Sequence, residues 1–204
     1  MKFKQIMNIS LGILGALSLT GCANYRAMTL TNLSTDFIEK PFNLKEVSVG
    51  CKILDITECK KYLGRNVIKA GYQPLQLTIR NNSLNNYLFS SSRIDLPCAR
   101  PDEVSEKLHT STAARAGIYG TIGVLSCGLF LIPDVVDGVK SYDANQKIDR
   151  DYLRKSRDSL VLTPHAQLNT ILFVPVEAYY DDFNITLINE DTSEATRITV
   201  HARQ

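Results

Sequence analysis

The chain has 204 residues, 44% hydrophobic and 22% charged, a length that suits one domain or one domain with an elaboration. Its 23 basic and 21 acidic residues nearly balance at a net charge of +2, which gives no electrostatic case for nucleic acid. Only three histidines occur (His109, His165 and His201), isolated from one another, and no Cys-x-x-Cys is present, so neither a zinc site nor any other metal is expected. GxSxG, GxxxxGK[ST], HExxH and a helix-opening GxGxxG are all absent, and the chain reads as a non-enzyme without cofactor.

Residues 1–21 form a signal peptide in three parts. Lys2 and Lys4 supply a positive start, an apolar core runs from Ile9 to Leu19, and small residues close the segment. The core is shorter than the roughly 20 apolar residues that a membrane span needs. The segment ends in Leu19-Thr20-Gly21-Cys22, which resembles the lipobox of bacterial lipoproteins at all four positions. The resemblance implies cleavage before Cys22 and acylation of Cys22, so that membrane lipid becomes the first partner. One acyl chain holds only marginally, and the two or three carried by such a residue hold durably. Ala23, rather than Asp, follows the cysteine, which leans toward the outer membrane over the inner one. Removal of Lys2 and Lys4 takes the 23 basic residues to 21, level with the acidic ones.

Residues 22–44 are polar and mixed and read as a tether. The body, residues 45–204, opens with the period-two run Val47-Ser48-Val49-Gly50-Cys51-Lys52-Ile53-Leu54, a strand. Asp55 with Glu58 three places on is close to a capping box for a short helix through Leu63, with Gly64 at its C-terminal end. Next comes the clearest strand, Pro74 to Asn81, with Leu75, Leu77 and Ile79 toward a core and Gln76, Thr78 and Arg80 toward water. Short strands at 87–89 and 92–96 follow. Late in the chain come strands at 170–176, 183–188 and 196–200, the last two joined by a turn at 189–193. Cys51, Cys59, Cys98 and Cys127 remain besides Cys22. In an oxidising compartment Cys51 with Cys59 is the most local disulfide, against the equal alternative of buried free thiols.

Residues 103–157 interrupt this pattern. A short helix begins near Glu103, and residues 116–133 then run for 18 positions without a charge, punctuated by Gly117, Gly120, Gly123 and Gly128. A helical pattern through Ala144, Ile148 and Tyr152 follows. Three readings of the uncharged run stand side by side: a membrane-associated helix, a core hairpin, and a partner-binding surface. Its length is at the bottom of the spanning range, and the glycines disfavour a helix in water by about 1 kcal/mol each.

The strand pattern as a whole resembles immunoglobulin-like sandwich lipoproteins of bacteria. The expected fold is therefore mostly β, an immunoglobulin-like β-sandwich with an inserted apolar and helical segment. The expected role is that of an envelope lipoprotein with a structural or protein-interaction function, one subunit of a larger assembly. The alternative is a periplasmic or surface ligand-binding module.

Overall fold

Period-two sequence becomes strand throughout the second half of the chain and in much of the first. The computed structural model describes residues 25–33, 47–109 and 131–204, with side chains in the last segment from residue 141 onward. It divides into two units, Met1–Tyr25 with His109–Lys147, and Arg26–Leu108 with Ile148–Gln204. In the second unit the elements run β1 (Val47–Ile53), α1 (Ile56–Leu63), β2 (Tyr72–Asn81), β3 (Tyr87–Ser90) and α2 (Pro101–Lys107). The helix α3 (Leu131–Lys155) enters this unit from the first at residue 148. Then come β4 (Ser159–Leu162), β5 (Gln167–Pro175), β6 (Asp182–Asn189) and β7 (Ala195–His201). Of the first unit the structure describes Tyr25, His109 and residues 131–147, where the Gln146 amide donates to the Tyr142 hydroxyl at 2.7 Å.

The described residues are mostly β, in two antiparallel sheets of three and four strands, ordered β1-β2-β5 and β4-β3-β6-β7. Alternation decides what each strand buries. Val49 and Cys51 of β1, Leu75, Leu77 and Ile79 of β2, and Leu168, Leu172 and Val174 of β5 meet Tyr87, Phe89, Leu162, Phe183, Ile185, Leu187 and Val200 of the other sheet in one core. A buried side chain of this size contributes about 1.5–3 kcal/mol by leaving water, so this facing layer is the main source of stability.

The three-stranded sheet has a second buried side. Ile171 and Phe173 alternate with Leu172 and Val174 and so face away from the four-stranded sheet, yet both are fully buried. Tyr152 of α3 stacks on Phe173 with ring centroids 5.4 Å apart and planes 6° from parallel, and its hydroxyl donates to the Leu63 carbonyl at 3.2 Å. Buried Lys155, one helical turn on, donates to the Tyr62 carbonyl and to Asp151. The helix α1 is fixed by the full capping box, Asp55 accepting from the Glu58 amide and Glu58 from the Asp55 amide. Gly64 ends it in the left-handed region at φ 65°.

Two expectations change here. Gln76 and Thr78 do not face water; they are 2% and 1% exposed. The covering element is residues 26–33, the first part of the expected tether. The Met28 amide donates to the Lys61 carbonyl at 2.8 Å, and Gln76 donates to the Thr31 carbonyl at 2.6 Å. Asn169, itself bonded to Thr78, reaches Asn32. Period two identifies a polar face but not what lies over it, and polar side chains are buried when each finds a partner. Residues 92–96 are not a strand either. Ser91–Arg93 is a 3₁₀ turn, and the stretch makes a single bridge between Ile94 and Ile185. The seventh strand is β4, which lies within none of the segments read as strands. Residues 34–46 and 110–130, including most of the uncharged run and Cys127, lie outside the described residues.

Candidate functional site

Cys22, the expected point of lipid attachment, lies outside the described residues. Cys51 and Cys59, the expected local disulfide, both carry free thiols. The reason is the alternation of β1. Cys51 points into the core between the sheets, while Cys59 sits on α1, outside that core, with its Sγ 3.9 Å from the Leu54 carbonyl. Burial raises the Cys51 thiol far above its ordinary pKa and pushes Cys59 up to about 11. Cys98 is likewise pushed up to about 11, by burial first and then by Asp158. Thiols held protonated in this way are poor nucleophiles and pack as small apolar groups.

The two sheets differ in what covers their outer faces. Helices and residues 26–33 lie over the three-stranded sheet. On the four-stranded sheet Arg197, Thr199 and His201 of β7 are exposed, and Asn184, Thr186 and Ile188 of β6 are half-buried. A polar band crosses this open face. Asp95 accepts from the Asn184 amide at 2.8 Å and from the Arg197 guanidinium at 2.9 Å. Asn184 in turn accepts from Thr199 at 2.9 Å, and the Tyr180 hydroxyl donates to the Asp95 carbonyl at 2.9 Å. Asp182 pairs with His201 at the end of the band. The Asn184 amide, and then the Arg197 guanidinium, hold the Asp95 carboxyl below the usual carboxylate range.

Beside the band lies a shallow groove of about 480 Å³, lined by residues 91, 92 and 94–98. Its chemistry is two serine hydroxyls, the Asp95 carboxylate and an apolar floor of Ile94 and Leu96. The strand β4 borders the same sheet. Among the described residues it pairs only with β3, and Leu160 and Val161 are each 40% exposed. Such an edge strand presents, on its outer side, a row of backbone donors and acceptors to an incoming segment.

A second polar cluster ties α2 to the three-stranded sheet. The Tyr72 hydroxyl donates to Glu103 at 2.5 Å, and the Lys107 ammonium bonds that hydroxyl and lies 4.5 Å from the Tyr72 ring centre. The Tyr72 hydroxyl and then Lys107 lower the Glu103 carboxyl, while burial raises the tyrosine. The cluster is closed on itself and positions the start of the excursion from β3 to β4.

Sequence reading did not reach the band. Asp95 and Arg197 stand 102 residues apart, and only the pairing of sheet strands brings them together. The usable signal was local: Asp95-Leu96-Pro97 after a serine cluster marks a break in strand rather than a strand. Among the described residues no three His, Cys, Asp or Glu side chains gather as a metal site, and no helix is long and apolar enough to cross a membrane. No known family model, curated protein or solved structure matches this chain.

Proposed function

We propose that the chain is a lipid-anchored lipoprotein of the bacterial envelope, acylated on Cys22, that serves as a structural or protein-interaction subunit of a larger assembly. The observation that carries this reading is Leu19-Thr20-Gly21-Cys22, placed behind an apolar core and two lysines. The open face and the unpaired β4 edge of the four-stranded sheet support the second half of it, because they offer a partner both side chains and backbone. Within the same proposal the two sheets form an immunoglobulin-like sandwich. Their order agrees with the constant-type immunoglobulin arrangement except at β4, which pairs with β3 instead of β5. The ligand-binding alternative has the 480 Å³ groove in its favour.

The test combines two measurements on cells making the full chain. Radiolabelled palmitate should enter the protein and be lost in Cys22→Ala. Affinity capture from gently solubilised membranes should retrieve stoichiometric envelope proteins, and changing Leu160 and Val161 to Lys should release them. An unlabelled protein would overturn the anchor. A labelled protein recovered only as a monomer would overturn the assembly role and leave the groove as the better account.

A further inference from the structure

Residues 26–33 are docked on the body, and this limits how far the body can stand from an acylated Cys22. Four Cα–Cα steps separate Cys22 from Arg26, a reach of at most roughly 14 Å. The surface at the near end of that reach is charge-segregated. Residues 59–71 carry Lys60, Lys61, Arg65 and Lys69 without a carboxylate, and residues 26–33 add Arg26, again without one. The two stretches are in contact, since the Met28 amide donates to the Lys61 carbonyl. Lys61 itself lies 4.7 Å from the Tyr62 ring centre, and the Tyr62 hydroxyl meets Thr31 at 3.3 Å. Arg26, Lys60, Lys61 and Lys69 are exposed. Beside them two apolar side chains stand in solvent, Met28 at 58% and Ile56 at 49%. Three nearby carboxylates are already engaged: exposed Asp55 as the cap of α1, accepting from the Glu58 amide at 2.7 Å, Glu58 with Lys52 at 2.5 Å, and Asp151 with Lys155 at 2.6 Å.

We infer that the surface formed by Arg26, Met28, Lys60 and Lys61 is a membrane-facing contact that lies on anionic lipid headgroups of the bilayer holding the acyl chains. The inference rests on the proposed acylation of Cys22. Basic residues near an anionic surface are attracted within a Debye length, and short apolar side chains among them enter the headgroup boundary. The four-stranded sheet, on the far side of the core from residues 26–33, is then turned away from the lipid.

The experiment uses the acylated full protein, purified from membranes and reconstituted into vesicles of phosphatidylcholine alone or with phosphatidylglycerol. Mass spectrometry of the N-terminal peptide reports acylation, and amide hydrogen exchange is followed over the whole chain. In the anionic vesicles residues 26–33 and 59–71 should exchange about tenfold more slowly than in the neutral ones. The combined variant Arg26→Gln, Lys60→Gln, Lys61→Gln should lose that protection while still acylated, and Arg197→Gln should keep it. An unacylated Cys22 would overturn the underlying reading and this inference together. An acylated protein with no difference between the vesicles, or with protection that survives the triple variant, would overturn this inference alone.

Discussion

Asp95 illustrates how a single exposed side chain can organise a surface. It joins the segment after β3 to both strands of the β6–β7 hairpin, accepting from Asn184 and Arg197. Its carboxyl is held below the ordinary carboxylate range by those partners, so the native state binds this proton less readily than the unfolded chain does. The stabilisation is therefore present above the unfolded pKa, near about 4, and is lost as pH falls through the lower native value. Asp95→Asn should flatten the acid limb of stability between about pH 5 and about pH 3, measured as the shift in urea midpoint. An acid limb identical to that of the parent protein would assign the slope to other carboxylates. Nothing in the residue types of the Ser92-Arg93-Ile94-Asp95-Leu96 stretch announces this role, because its partners come from a hairpin 89 and 102 residues away in the chain.

Elements were legible in proportion to how strongly one face differs from the other. In β2 and β6 the central inward positions, Leu75, Leu77 and Ile79 and Phe183, Ile185 and Leu187, are apolar, and both strands stand where the alternation puts them. The capping box and Gly64 fix α1 through local chemistry alone, so it too was readable. The strand β4 was not, since three of its four residues are exposed and Ser-Leu-Val-Leu has no alternation to detect. The burial of Gln76 and Thr78 was equally hidden, because it depends on a segment some 45 residues away in the chain, the separation of the Gln76–Thr31 bond. The same layer holds one of the largest fully buried side chains. Phe173 is fully buried on the helix-covered face and stacked on Tyr152. Phe173→Ala should cost about 3–5 kcal/mol, read from urea denaturation with an unchanged slope. A loss under about 1 kcal/mol would mean that the helices of this layer contribute little to the sheet beneath them.

At the scale of the molecule, residues 109–147 form a unit with the N-terminal segment, while the strands before and after them belong to the other unit. The ends of this excursion lie close together: the Ser105 hydroxyl donates to Asp149 at 2.7 Å although the two residues are 44 apart in sequence. Replacing residues 109–147 by a short Gly/Ser linker should leave a cooperatively folding seven-stranded unit, with stability changed by about 1 kcal/mol or less, since loop-closure entropy varies slowly with length. Loss of a single sharp urea transition would show that the excursion is part of the folding unit. The position of the excursion, between β3 and β4, also sets an order of events in time. The β6–β7 hairpin closes locally, and its Asn184–Thr199 bond spans 15 residues, whereas the Thr78–Asn169 bond between β2 and β5 spans 91. Non-local pairing is slow, so a β1–β2 pair formed early would keep the β2 edge vacant until β5 arrives, with Leu75, Leu77 and Ile79 uncovered until the four-stranded sheet packs on them. That waiting fragment is the stage at which neighbouring chains compete for the vacant edge, and the yield of refolding should fall as protein concentration rises.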